Sequence, residues 1–216
     1  MSNISLLKPL IIATESEIRK KIFSDFNLNV SFIASEVDED LIKENFQFKN
    51  YYDLAIELAS AKALEVSKKN PDNYVLGVDQ VCEFNNEILN KPGNKEKCIS
   101  TLQKLSGNTH FQNCGMAIAF NDSIIWTSYD VAKLTMNELS LKDIENYISK
   151  DAPYMCCGSY KYELNGKYLF SDVEGSIYTI QGLDIDSLLI YLRQNKFIWD
   201  FFQKWVLFVM YEKFSR

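Results

Sequence analysis

The chain has 216 residues, 47% of them hydrophobic and 24% charged, which is enough to bury a sizeable core in one α/β domain. Its formal net charge of −6 excludes the basic surface that a nucleic-acid duplex requires and favours a small ligand as partner. Five cysteines without a CxxC pair predict reduced thiols in the cytoplasm, and no apolar run approaches the ~18 residues of a membrane-spanning helix.

The first part of the chain predicts alternating strands and helices. Thr14 and Ser16 precede the first predicted helix and are placed to cap it, with backbone N–H groups pointing at the strand–helix turn. Apolar runs predict strands at 10–13 and 30–35, and apolar residues at helical spacing predict helices at 17–26 and 51–69.

The second part of the chain predicts β-hairpins beside further helices. A buried strand at 74–81 is followed by a turn at Asn85-Asn86, and two long β-rich runs between 109 and 136 flank Asn121-Asp122-Ser123. Helices are predicted at 94–105, at 139–149 with Ser140 as capping candidate, and at 184–194. Hairpins among helices favour a mixed sheet over a purely parallel one.

The last twenty residues are unusually aromatic (FIWDFFQKWVLFVMYEKFSR). Their spacing predicts an amphipathic C-terminal helix that packs on its own domain or on a dimer partner. A membrane-surface helix and a hydrophobic tail that promotes association are the alternatives. The chain is thus divided into a domain at 1–196 and a C-terminal helix at 197–216.

The chemistry of the chain must depend on carboxylates and cations. His110 is the single histidine, which excludes a multi-histidine metal site, and neither a GxGxxG motif nor a P-loop occurs. Asp79 lies in an apolar strand, where an unpaired charge is costly, so it either caps a neighbouring loop or performs a function. Lys62 and Lys91 are either solvated or directed to a cleft, and the acidic stretch 36–40 is either a solvated loop or a site for a divalent ion.

The order of these segments is more informative than any one of them. Together they resemble the Maf family of nucleotide pyrophosphatases over roughly residues 8–194. The resemblance depends on the strand–turn–helix with Ser16 and Arg19, Val-Asp-Glu at 37–39, Leu-Ala-x-x-Lys-Ala at 58–63, Gly-x-Asp-Gln-Val at 77–81, Lys-Pro at 91–92 and Leu-Ser-Gly-x-x-His at 105–110.

The chain is most similar to the 7-methyl-GTP pyrophosphatase branch of that family, through VDQVCEFNNEILNKP at 78–92 and CCGSYKYELNGKYLF at 156–170. The resemblance implies a Maf/ITPase-like α/β fold, in which an elongated mixed β-sheet flanked by helices forms two lobes around a deep cleft. It also implies a homodimer that hydrolyses a nucleoside triphosphate to the monophosphate and diphosphate.

The same resemblance implies the roles of individual residues. Asp79 is expected to be the catalytic residue, as the base that activates water or as a metal ligand. A divalent cation, Mg²⁺ or Mn²⁺, is expected on Glu39 and Asp79. Substrate binding is expected from Ser16, Arg19, Lys62 and Lys91, and substrate choice from Ile18, Gln80 and Glu163.

Two alternatives to a 7-methyl-GTP pyrophosphatase remain open. Ile18 stands where the family has an aromatic residue, so the chain could instead prefer dTTP or UTP. Because the segment from Thr14 to Lys20 departs from the family pattern, a non-catalytic nucleotide-binding regulator of cell division is the second alternative.

Overall fold

The computed structural model describes residues 6–198, in which seven strands form one sheet with helices on both faces. The strands are β1 (Leu10–Ala13), β2 (Ser31–Ile33), β3 (Tyr74–Phe84), β4 (Glu87–Leu89), β5 (Thr109–Phe120), β6 (Ser123–Met136) and β7 (Phe170–Glu174). The helices are α1 (Glu17–Asp25), α2 (Glu39–Asn45), α3 (Tyr51–Lys69), α4 (Lys95–Leu105), α5 (Leu141–Asp151), α6 (Ile177–Ile180) and α7 (Ile185–Gln194).

The sheet is mixed, as predicted. Its strand order is β2-β1-β3-β5-β6-β7, and β4 also pairs with β3. Strand β1 runs parallel to β2 and β3, whereas the pairs formed by β3, β4, β5, β6 and β7 among themselves are antiparallel. The parallel part is built by helical crossovers and the antiparallel part by hairpins, which is how each kind of pairing is normally connected.

One edge of β3 is interrupted. Its pairing with β1 ends at Gly77 and its pairing with β4 begins at Cys82, while β5 occupies the other edge along nearly the whole strand. Residues 78–81 therefore have no strand partner on that edge among the described residues. This gap places the polar pair Asp79 and Gln80 at an opening in the sheet.

Helix α3 approaches the sheet unusually closely. A Cβ atom on Gly77 would lie 1.9 Å from the carbonyl oxygen of Ala59, and one on Gly115 would lie 2.2 Å from the carbonyl carbon of Ala55. Glycine at both positions allows the helix backbone to rest on the strands. The close packing brings Lys62, one turn beyond Ala59, next to β3.

The helices on the opposite face form two hydrophobic clusters, which correspond to the two predicted lobes. One cluster joins α1 and α7 to β1 and β3, with Phe23 and Leu188 fully buried. The other joins α4 and α5 to β3 and β6, with Leu102, Ile148 and Leu134 nearly or fully buried. The predicted α/β architecture is thereby confirmed.

The predicted turns and one predicted helix cap are also confirmed. Asn85 and Asn86 have φ of 50° and 62°, and a second asparagine–aspartate pair closes the β5–β6 hairpin with φ of 48° and 56°. Positive φ at both central positions is the geometry that matches the twist of a two-residue hairpin. Ser140 accepts a hydrogen bond from the backbone N–H of Asp143 at the start of α5.

Other predictions differ from the structure at element ends. Strand β3 continues to Phe84 instead of ending at 81, because β4 and β5 both pair with its second half. Ser16 occupies the N-cap position of α1 but its hydroxyl does not cap the helix, and Thr14 Oγ1 accepts from the N–H of Ser16 instead. The predicted acidic loop at 36–40 contains the start of helix α2, capped by Asp38.

The predicted C-terminal helix at 197–216 begins too early. Phe197 and Ile198 are buried against the first cluster, Phe197 accepts from the N–H of Leu7, and Ile198 forms a β-bridge with Leu6. They belong to the domain that precedes them. The remainder of that helix, 199–216, lies outside the described residues.

Two further observations concern the cysteines and the possibility of a membrane-spanning helix. All five cysteines have free thiols. Within residues 6–198, none of the helices has the length and apolar character needed to cross a membrane.

Candidate active site

A cleft of about 1110 Å³ opens at the gap in the sheet. Segments of both lobes line it, together with the β1–α1 turn, α2 and the loop after α5. All the predicted site residues line this cleft, although they are dispersed along the chain: Ser16, Ile18, Arg19, Glu39, Lys62, Asp79, Gln80, Lys91 and Glu163.

The centre of the cleft is an ion-pair cluster around Lys62. Its ammonium group lies 2.5 Å from Asp79 Oδ1 and 2.7 Å from Glu39 Oε1. Lys62 is 8% exposed and Asp79 is 6% exposed, so both charges are buried and each would be costly without the other. The buried carboxylate predicted from the sequence is therefore part of a charge cluster and does not cap a loop.

Glu39 is held in its charged form by the cations around it. Burial alone would raise the pKa of its carboxyl, but the attraction of Lys62, followed by that of Lys91 and Lys43, lowers the pKa below its usual value. Glu39 begins α2, and Lys43 lies one turn later with its ammonium 3.7 Å away. The Glu39 carboxylate thus stays ionised and available to a cation.

Arg19 is used mainly by the protein itself. Its Nε donates to the carbonyl of Gly182 at 2.7 Å, and its Nη1 donates to the carbonyl of Val78 at 3.1 Å. Val78 lies on the unpaired edge of β3, so Arg19 satisfies an acceptor that the interrupted sheet leaves without a strand partner. Nη2 has no hydrogen-bond partner among the described residues and is the nitrogen left for a phosphate. The two-pronged phosphate contact expected from a free guanidinium is not available in this arrangement.

Replacing Arg19 by lysine is expected to destabilise the fold by about 1–3 kcal/mol, because one ammonium cannot reproduce the two directed bonds to Val78 and Gly182. The free energy of unfolding in urea measures the effect. Arg193→Lys, on the exposed end of α7, is the matched control. Equal stability of the two variants would show that the backbone contacts of Arg19 are unimportant.

Gln80 also connects β3 to the α6–α7 turn. Its Nε2 donates to the carbonyls of Thr179 and Ile180, at 2.8 and 2.9 Å, which leaves its Oε1 as the free hydrogen-bonding atom. Gly182 follows with φ of 85°, and a Cβ there would lie 3.0 Å from Arg19 Nη2. A glycine is required both by this backbone conformation and by the nearby guanidinium.

The β1–α1 turn forms one wall of the cleft. Ser16 and Ile18 line it at the N-terminus of α1, with the exposed Glu15 and Glu17 beside them. No side chain caps the first turn of α1, so its free N–H groups remain available to an anion. The hydroxyl of Ser16 is placed to add a donor there.

The loop after α5 forms the facing wall. Lys161, Tyr162 and Glu163 are consecutive and all line the cleft. Glu163 is exposed, whereas the two residues before it are partly buried. This wall offers a cation, an aromatic ring and a carboxylate in succession.

His110 has no place in this chemistry. It is fully buried in β5, where its Nε2 hydrogen-bonds to the hydroxyl of Tyr160, and burial lowers its pKa to about 4. A neutral imidazole without contact to the cleft cannot serve as a base for a nucleophile there. A Ser-His-Asp arrangement with His110 as its base is therefore ruled out in this cleft.

The charges along the cleft favour a divalent cation when a polyphosphate binds. Seven carboxylates line the cleft against six cationic side chains, so its lining is not positive overall. The carboxylates are Glu15, Glu17, Asp38, Glu39, Asp40, Asp79 and Glu163, and the cations are Arg19, Lys21, Lys43, Lys62, Lys91 and Lys161.

The side chains present fit a cation that is completed by phosphate. Mg²⁺ is usually bound by one or two carboxylates together with substrate phosphates. Glu39 and Asp79 contact the same ammonium, so their oxygens converge on one point and form such a pair. Within residues 6–198 no group of three or more His, Cys, Asp or Glu side chains is placed to hold a metal by itself.

Several cleft residues were missed by sequence reasoning, among them Lys43, Lys161, Tyr162 and Gln181. A signal existed for Lys43, since Asp38 followed by acidic residues and a lysine four positions after Glu39 is typical of a helix start. The other three lie in segments without regular periodicity, and only the fold brings them to the cleft.

The chain was compared with known proteins. Residues 9–195 match the family described as Maf-like protein. The chain is 38% identical over 189 residues to a nucleoside triphosphate pyrophosphatase of Legionella pneumophila (strain Paris), covering 88% of this chain and 94% of the relative. A nucleoside triphosphate pyrophosphatase of Nitrobacter winogradskyi is 35% identical over 190 residues, covering 87% and 94%. The Ham1 protein of Staphylococcus aureus matches in structure with a TM-score of 0.38 and 18% identity, over 74% of this chain and 90% of that one.

Proposed function

The chain belongs to the Maf family and is a nucleoside triphosphate pyrophosphatase, and we propose that it hydrolyses 7-methyl-GTP to 7-methyl-GMP and diphosphate. The observation that carries this proposal is the buried cluster of Asp79, Lys62 and Glu39 at the gap in the sheet. It places a carboxylate that can activate water beside a buried cation, in a cleft lined by further cations for phosphate.

The cationic side chains bind and orient the triphosphate. A triphosphate brings about four negative charges, which must be balanced before a nucleophile can approach phosphorus. Lys91 is exposed and lines the cleft, and the free Nη2 of Arg19 and the N-terminus of α1 line the same cleft. Glu39 and Asp79 would hold Mg²⁺ or Mn²⁺, which supplies charge neutralisation at the phosphates and polarises the P–O bond that breaks.

Asp79 has the position of the group that activates water. It accepts from Lys62, which holds its carboxylate in one orientation, and its second oxygen is left to accept a proton. The water attacks the α-phosphorus in line with the leaving diphosphate, and its proton passes to the Asp79 carboxylate. Lys62 is bonded to both carboxylates, and its positive charge offsets the repulsion between them while the substrate is absent.

Glu163 and Gln80 support the choice of a guanine base. Glu163 is exposed on the cleft wall, where its carboxylate can accept from the N–H groups of a guanine and attract the positive charge of the 7-methylated form. Gln80 offers only Oε1 because its amide N–H groups are already bonded. Ile18 contributes an apolar contact at the opposite wall.

Diphosphate release from 7-methyl-GTP, dTTP and UTP tests this proposal. We expect the highest kcat/KM for 7-methyl-GTP, and we expect Glu163→Gln to reduce it more for the methylated base than for the neutral bases. Glu145→Gln on the exposed side of α5 is the control and should leave all three unchanged. A clear preference of the wild-type protein for dTTP or UTP would refute the 7-methyl-GTP assignment.

We also propose a cytoplasmic location and a homodimer. The five free thiols support a reducing compartment. The proposal of a dimer rests on the resemblance to the family alone, and sedimentation of the purified chain tests it.

A further inference from the structure

We propose that the ring of Tyr162 is the surface on which the nucleotide base stacks, and that it selects a positively charged base over a neutral one. The inference rests on the proposed function for the position of the base at this wall. It assigns a specificity residue that the sequence comparison with the family does not supply, since Ile18 provides no aromatic face.

Tyr162 is the aromatic ring that remains accessible in the cleft. Among the described residues, the lining contains two aromatic side chains, Tyr160 and Tyr162. Tyr160 is 4% exposed, and its hydroxyl is engaged by His110 and Gln112. Tyr162 is only partly buried and is therefore the ring that a ligand can contact.

The backbone around Tyr162 is fixed before any ligand binds. Lys161 donates its N–H to the hydroxyl of Tyr147, and its carbonyl accepts from the N–H groups of Leu164 and Gly166, at 3.2 and 3.0 Å. A Cβ on Gly166 would lie 2.3 Å from the Lys161 oxygen, so glycine is what allows this turn to close. A ring on a preorganised turn loses little freedom when a base stacks on it.

Two further contacts fix the same wall. The buried carboxylate of Asp151 accepts from both the backbone N–H and the side-chain amide of Asn165, at 2.9 and 2.6 Å. The ring of Phe170 lies 5.9 Å from that of Tyr162, at an interplanar angle of 37°. Phe170 is not among the residues that line the cleft, so it supports the ring of Tyr162 without occupying the space for a ligand.

The neighbouring residues suit a cationic, flat ligand. Glu163 follows Tyr162 directly and lines the same cleft, so a carboxylate is available to a base bound at this wall. Met155 and Leu164 add exposed apolar side chains to the same wall. A methylated guanine carries a positive charge, so it gains cation–π attraction over a tyrosine face that a neutral guanine lacks.

Binding of the two monophosphates separates charge recognition from turnover. The dissociation constants of 7-methyl-GMP and GMP are measured by calorimetry for the wild-type protein, Tyr162→Phe and Tyr162→Leu. We expect the preference for the methylated nucleotide to persist in Tyr162→Phe and to fall by about 2- to 30-fold in Tyr162→Leu, the range of a cation–π contact. Tyr168→Leu, at a 72% exposed tyrosine of the same segment outside the cleft lining, is the control and should keep the wild-type preference.

If Tyr162 had a merely structural role, Tyr162→Leu would weaken the binding of both nucleotides equally. An unchanged ratio of the two dissociation constants in Tyr162→Leu would therefore overturn the inference. Equal binding of 7-methyl-GMP and GMP by the wild-type protein would overturn it as well. In that case, diphosphate release from other triphosphates would still support the pyrophosphatase activity. The converse result would be a binding preference that depends on Tyr162 in a protein that hydrolyses no triphosphate. The proposed reaction would then fail and the role of Tyr162 would hold.

Discussion

Asp79→Asn is expected to reduce kcat by at least ~10²-fold, the lower range for loss of a general base, while the protein remains folded. The amide keeps the size of the carboxylate and can still accept from Lys62 through its oxygen. It cannot take a proton from water, and it binds a divalent cation more weakly than a carboxylate does. Single-turnover and steady-state diphosphate release measure the loss.

The contact of Lys62 with a second carboxylate allows a loss of activity in Asp79→Asn to be attributed to Asp79 itself. Lys62 keeps its contact with Glu39 at 2.7 Å in the absence of the Asp79 charge, so no isolated ammonium remains buried. Asp172→Asn, on an exposed position of β7 away from the cleft, is the control. Near-normal turnover of folded Asp79→Asn would end the assignment of Asp79 as the group that activates water.

The fold was predictable where local periodicity and turn chemistry determine it. The asparagine turns and the Ser140 cap were recognised because each is set by neighbouring residues. Helix α2 was missed because it has seven residues, none of them buried, and packs against a hydrophobic cluster only through the partly buried Ile42. Hydrophobic periodicity carries no information about such a helix.

The residues predicted for the site all line one cleft, but their arrangement there could not be predicted. Resemblance to the family brought Arg19 to attention as a phosphate ligand, whereas the structure directs its Nε and Nη1 to the carbonyls of Gly182 and Val78. The Val78 carbonyl is exposed by the gap between β1 and β4, and the Gly182 carbonyl lies in the turn between α6 and α7. Long-range pairing brings the two together, and no local pattern encodes it. Tyr162 was overlooked for the same reason, because it lines the cleft only through the turn that closes at Gly166.

The position of Lys62 bears on the proposed dependence on a divalent cation. Its ammonium lies between the two carboxylates expected to bind a cation, so it balances their charge in the free protein. A divalent cation must share or displace this contact, at an electrostatic cost that the triphosphate can offset. Cation binding is therefore expected to be weak without the nucleotide and stronger with it, a thermodynamic coupling that is necessarily reciprocal.

Removal of divalent cations by EDTA is expected to abolish turnover, and excess Mg²⁺ or Mn²⁺ is expected to restore it. Seven carboxylates oppose six cationic side chains along the cleft, so the protein alone does not neutralise the about four charges of a triphosphate. Glu39→Gln removes one of the two converging carboxylates and should raise the Mg²⁺ concentration needed for half-maximal rate. Glu145→Gln should leave that concentration unchanged. Full turnover in EDTA would mean that Arg19 and the lysines suffice for charge neutralisation, and that the pair of Glu39 and Asp79 serves to hold Lys62 and not a metal.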